Sequence, residues 1–152
     1  MSDGTIQVCV VGKDSASNWQ LEGTATGASW TKDTVAPNAT ITNAPSDPGN
    51  TTTLNITIAG TGVTHYRYKI REAADLACTN STNYGAETAV ATAISNSITS
   101  LADGTVQICV IGRDDAGNYQ SFASSTSTSW TKDTAAPTAT LSGAPSGSVN
   151  TT

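Results

Sequence analysis

Asp3-Gly4-Thr5-Ile6-Gln7-Val8-Cys9-Val10-Val11-Gly12 returns as Asp103-Gly104-Thr105-Val106-Gln107-Ile108-Cys109-Val110-Ile111-Gly112, and the recurrence decides the fold. The offset is one hundred residues. It holds without a gap through Trp30-Thr31-Lys32-Asp33-Thr34 against Trp130-Thr131-Lys132-Asp133-Thr134, and on through Ala44-Pro45-Ser46 against Ala144-Pro145-Ser146. Roughly half of the aligned positions are identical, which is the mark of a repeat array. Inside the stretch Val106, Ile108 and Val110 alternate with Gln107 and Cys109, a period of two that predicts a strand with one face toward a core.

Outward from that strand, the Asp-Thr-x-Ala-Pro segments at 33–37 and 133–137 read as joints. Proline fixes φ there and biases the residue before it to extended geometry. On this cut, residues 1–34 are the last third of one repeat, 35–134 a whole repeat, and 135–152 the opening of the next. Met1-Ser2 stands in the slots of Leu101-Ala102, so the stretch is expected to begin inside a domain. The partial ends then belong to a longer protein or are completed by neighbouring chains.

The whole repeat shows no apolar stripe at helical spacing, so the expected class is all-β. Residues 39–42, 54–58, 63–70, 89–94, 97–101, 106–110 and 125–132 are the expected strands, with Gly60-Thr61-Gly62 and Asp114-Asp115-Ala116-Gly117-Asn118 as turns. On the third strand Tyr66, Tyr68 and Ile70 share one face, and His65, Arg67 and Lys69 share a face expected to be wet. About seven short strands per hundred residues is the rhythm of an immunoglobulin-like β-sandwich, here in tandem.

Composition agrees and narrows the function. Only 12% of residues are charged and 5% aromatic, so the core must be thin and made of Val, Ile and Leu. Seven Lys and Arg against twelve Asp and Glu give a net charge of −5, which argues against nucleic acid as a partner because phosphate binding needs clustered cations. No run of eighteen apolar residues is present, so no membrane-inserted helix is expected in this segment. No nucleophile elbow, phosphate loop or metal-ligand cluster occurs, and the single histidine, His65, stands alone between Thr64 and Tyr66, so no catalysis is expected.

The Asp-Gly-Thr strand start, the Asp-x-Ala-Gly-Asn turn and the Asp-Thr-x-Ala-Pro joint resemble the bacterial Ig-like tandem repeats of very large secreted surface proteins and adhesins. The resemblance covers the whole chain and implies stalks, spacers and binding tips outside the cell. Lys32 and Lys132 stand where such repeats often carry an apolar residue, so the last strand is expected to be less buried than usual.

Cys109 lies on the strand face opposite Val106, Ile108 and Val110, and so points toward the 76–84 loop that carries Cys78. A Cys78–Cys109 disulfide is the preferred reading, and Cys9 would pair with a counterpart of Cys78 lying before residue 1. The alternative, free thiols or a metal site, has no Cys-x-x-Cys and only one histidine behind it. A disulfide implies an oxidising compartment, hence an extracellular or cell-surface location. No cofactor is expected, although the oxygens of Asp114, Asp115, Asn118 and Asp133 are candidates for calcium at the joint. The competing reading of that segment is a turn in which Asp and Asn bond local backbone and Gly117 supplies a positive φ.

Trp30 and Trp130 are expected near the domain edge, stiffening the joint, with Trp19 and Tyr119 reaching from the turn to solvent. Asn-x-Ser/Thr sequons occur at Asn38, Asn50, Asn55, Asn80 and Asn150 and matter only where secreted chains are glycosylated. Two functional expectations follow. One is a structural rod, filament or adhesin stalk whose partners are neighbouring repeats or copies of itself. The other is a module that grips a cell-surface or carbohydrate ligand through the 71–88 loop, with Arg71, Glu72, Asp75 and Tyr84 as the contact residues.

Overall fold

In the computed structural model the described residues are 1–72, 77–144, 146 and 147. Among them the regular elements are eight strands and two single 3-10 turns, at Glu22–Thr24 and Phe122–Ser124. The strands are β1 (Gly4–Val10), β2 (Thr26–Lys32), β3 (Thr40–Thr42), β4 (Thr57–Ala59), β5 (His65–Glu72), β6 (Thr88–Ala89), β7 (Gly104–Arg113) and β8 (Thr126–Lys132). All pairings between them are antiparallel. They form a β1-β2 hairpin, a β3-β4 pair and a four-stranded sheet ordered β6-β5-β7-β8.

The β3-β4 layer and the four-stranded sheet face each other across one core. Ala39, Leu54, Ile56 and Ile58 come from the first, Tyr66, Val106, Ile108, Val110 and Trp130 from the second, and Ile94 and Ile98 fill in from the irregular segment between β6 and β7. Isolated bridges, Ile56 with Ile94 and Thr53 with Ser97, tie that segment to the β4 side. The sequence overstates regular structure here: residues 54–56 and 89–101 keep their apolar alternation, but single bridges and turns replace continuous ladders.

The recurrence in sequence is also a recurrence in pairing. β1 meets β2 as Gly4 opposite Lys32, Ile6 opposite Trp30 and Cys9 opposite Gly27; β7 meets β8 as Gly104 opposite Lys132, Val106 opposite Trp130 and Cys109 opposite Ser127. Even the turns match. Asp14 and Asp114 each accept from the backbone N–H and side-chain amide of Asn18 or Asn118. The left-handed turn residue is Gly117 at φ 93° in one copy and Ser17 at φ 75° in the other.

Three sequence expectations are corrected. The face of β5 expected to be wet is covered at Lys69, which is buried where the 77–85 segment folds over it, while His65 and Arg67 are half-buried. Trp130 packs in the core instead of stiffening the domain edge, since its place opposite Val106 points it between the layers. Lys132, expected to mark a less buried strand, is itself buried, its ammonium 2.7 Å from Asp103.

Candidate functional site

Two regions carry the candidate site residues: the disulfide-fastened 77–88 segment and the joint at 33–38. The first begins with β7. Both of its edges are paired, by β5 and β8, and both of its faces are buried: Val106, Ile108 and Val110 enter the main core, while Cys109 and Ile111 point into a second, smaller one. Cys78, Tyr84 and Phe122 complete that cluster. Cys78 and Cys109 are joined by a disulfide, Cα to Cα 5.5 Å, across 31 positions of chain. Such a closure removes conformational freedom from the unfolded chain, worth about 3 to 4 kcal/mol in the chain-entropy account.

The side chains expected to meet a ligand mostly turn inward. Tyr84 donates its hydroxyl to the Cys78 carbonyl at 3.1 Å and sets its ring 5.1 Å from that of Phe122. Burial pushes the Tyr84 phenol above its ordinary pKa. Lys69 threads into the segment, donating to the carbonyls of Ala77, Asn80 and Thr82 and to Asn80 Oδ1, with its ammonium 4.6 Å from the centre of the Tyr84 ring. It therefore replaces water as the donor for three loop carbonyls. Arg71 is buried, and Glu72 accepts from the Ala102 N–H at 3.0 Å. Asp75 lies outside the described residues.

The outer surface of the same sheet carries one polar group that sequence reasoning passed over. Glu87 accepts from Arg113 at 2.7 Å and from the Tyr119 hydroxyl. That hydroxyl bond is the main reason the Glu87 carboxyl is held below the usual range and the Tyr119 phenol above it. Arg113 also lies over the Tyr119 ring, as Lys13 lies over the Trp19 ring in the first copy. The signal was present as Arg113 and Tyr119 recurring with Lys13 and Trp19, but the Glu87 partner is not predictable from local spacing.

At the joint, an open cleft of about 570 Å³ lies between Asp33, Val35, Pro37, Gly60, Gly62 and Asp114. Gly60 is required there: at φ 140° an added Cβ would sit 2.2 Å from the Asn38 carbonyl. The Asn118 amide donates to the Asp33 carbonyl at 3.2 Å, linking the first copy to the second. Of the calcium candidates, Asp114 lines this cleft and Asn118 bonds to Asp33, whereas the Asp133 N–H donates to the Gly49 carbonyl. Both Asp114 oxygens accept from Asn118, whose bonds hold that carboxyl below its ordinary pKa, and Asp133 accepts from the Ala135 N–H. Among the described residues no group of three His, Cys, Asp or Glu side chains is placed to hold a metal ion. The bonds between Asp114 and Asn118 are those of a turn in which Asp and Asn side chains hold local groups.

Each copy ends in the same clasp. Asp103 accepts from Lys132 Nζ and from both the N–H and hydroxyl of Thr134; Asp3 does so from Lys32 and Thr34. These bonds, the lysine's first, lower both carboxyls to about 2.

The largest difference between the copies is what covers them. Val110 is 0% exposed and Trp130 2%, whereas Val10 is 55% and Trp30 51%. Cys9 is an exposed free thiol. No protein-family model matches the chain, and no curated protein matches it.

Proposed function

We propose that this chain is a structural segment of an extracellular rod, filament or adhesin stalk, built from tandem Ig-like β-sandwich repeats of about one hundred residues and without catalytic activity. The observation that carries the reading is the identical register of the β1-β2 and β7-β8 hairpins, one hundred residues apart. A unit that recurs with the same pairing and the same terminal clasp can be added indefinitely, and its stability is then a sum of repeat and neighbour contributions. The Pro-containing joints favour extended geometry between units. The disulfide supports an oxidising, extracellular setting. Residues 1–34, 35–134 and 135–152 are accordingly parts of three successive repeats.

The alternative, a loop-mediated grip on a cell surface or carbohydrate, draws less support. Of its expected contact residues, Arg71 and Tyr84 are buried and Glu72 is spent on backbone. Small-angle scattering on chains carrying one, two and three copies of the 35–134 unit tests the proposal. A maximum dimension that grows in equal steps per unit supports a rod; growth with the cube root of mass, as in a collapsed assembly, rules it out.

A further inference from the structure

We infer that residues 3–34 form a preformed acceptor: the open edge of β1 and the apolar face beside it take a polypeptide segment patterned like residues 39–101, which completes that repeat, and Cys9 closes a disulfide to that segment's cysteine. The inference rests on the repeat reading above, and the second copy shows what belongs on the face. There β5 lies along β7 with Tyr68 opposite Val110, Ile70 opposite Ile108 and Lys69 opposite Cys109. Transferred by one hundred residues, a β5-like strand meets β1 with those side chains opposite Val10, Val8 and Cys9. In the structure β1 pairs only with β2, so its other edge is open among the described residues.

A polar contact points to the same occupant. Gln120 Oε1 accepts from two N–H groups, its own Gly112 and the incoming Ala39, while Gln120 Nε2 donates to the Ser124 carbonyl. Gln20 is already held in the equivalent pose, accepting from Gly12 and donating to the Thr24 carbonyl. The acceptor position that Ala39 uses on Gln120 is therefore set in advance on Gln20. A second copy of this chain is not the donor. Its one segment of this pattern is seated on its own β7-β8 hairpin and fastened there by the Cys78–Cys109 bond.

Closing the new disulfide removes two protons and two electrons from a pair of thiols. A small-molecule disulfide such as oxidised glutathione takes them and leaves as two thiols.

The test adds a synthetic segment of residues 35–101 to the full chain in a glutathione redox buffer. One segment should become attached per chain, through Cys9 and the segment's Cys78. Cys9 should lose at least tenfold of its maleimide reactivity, and Trp30 fluorescence should shift to the blue. Cys9→Ser should abolish the cross-link and keep the fluorescence shift, and Val8→Lys with Val10→Lys should cut the cross-linking rate at least tenfold. A shuffled segment that couples as fast overturns the inference, as do chain dimers through Cys9 that form with no segment present, since those make a second copy the occupant. If the free segment precipitates, the same segment fused ahead of Asp3 decides: two disulfides and no reactive thiol are expected, and a persisting free Cys9 overturns the inference. Scattering dimensions that rise stepwise while Cys9 stays free remove only this inference and leave the rod reading intact.

Discussion

Residues 3–34 and 103–134 are nearly the same hairpin in two environments. The strand register, the Asp-Asn turn, the glutamine brace and the Asp-Lys-Thr clasp recur in both. Only the second is roofed by residues 39–101, and only there do the tryptophan, valine and cysteine positions become a core. The hairpin's geometry is thus a local property, written in turn chemistry and short-range hydrogen bonds. Its burial is a property of the rest of the domain. The comparison separates what a segment does for itself from what it does once covered.

Four measurements would break or sharpen that contrast. Trp130→Ala should cost about 3 to 5 kcal/mol of stability in denaturant unfolding of the full chain. Trp30→Ala should leave that transition within about 0.5 kcal/mol of the parent. Equal losses would mean that the first hairpin is packed after all. Replacing Cys78 and Cys109 together by serine should cost about 3 to 4 kcal/mol, and Cys9→Ser nothing measurable by the same unfolding experiment. Thiol titration of the native chain should count one reactive cysteine. A third test concerns the turn: Gly117→Ala places a side chain at φ 93° and should destabilise by about 1 kcal/mol, while Ser17→Gly relieves the same strain in the first copy. Amide exchange in each turn reads the two effects separately.

The smallest difference should be none. Asp3 and Asp103 share a folded pKa of about 2, below their ordinary 3.8. A lowered carboxylate pKa stabilises the folded form above the ordinary value and loses that contribution as pH falls through the folded one. Both clasps should therefore hold at pH 5 and release between about pH 4 and pH 2, in step, when followed by carboxyl carbon shifts. Release of Asp3 well before Asp103 would show that the clasp depends on cover.

Much of this was legible in the residues. The period of one hundred, the alternation of Val106, Ile108 and Val110, and the turn at Asp114 are local or self-similar signals, and the structure places strands and turns there. The second small core was not legible. Lys69 read as solvent-facing because it alternates with apolar positions beside His65 and Arg67, and Arg71 read as a ligand contact at the start of the loop. What buries Lys69 is a segment whose path depends on the long-range bond of Cys78 and the inward turn of Tyr84. Trp130 was misplaced for a related reason: its Thr-Lys-Asp neighbours suggested a boundary, whereas its cross-strand partner Val106 decided its environment. The candidate ligand loop suffered the same fate, since nothing in the order Arg71, Glu72, Tyr84 tells that two of the three are needed as packing.

One feature of the fold bears on force. Ala39 binds beside the start of β8, through Gln120 and Thr126, whereas the end of β8 is bonded to Gly49: the Gly49 N–H donates to the Thr131 carbonyl and the Asp133 N–H to the Gly49 carbonyl, both at 2.9 Å. The two stretches run parallel, so the chain enters the unit at one end of β8 and leaves at the other. In the proposed rod, tension drawn through the joints would load these contacts along β8, in shear. The Cys78–Cys109 bond lies inside that frame and would keep the chain between its ends from paying out even after the outer contacts part.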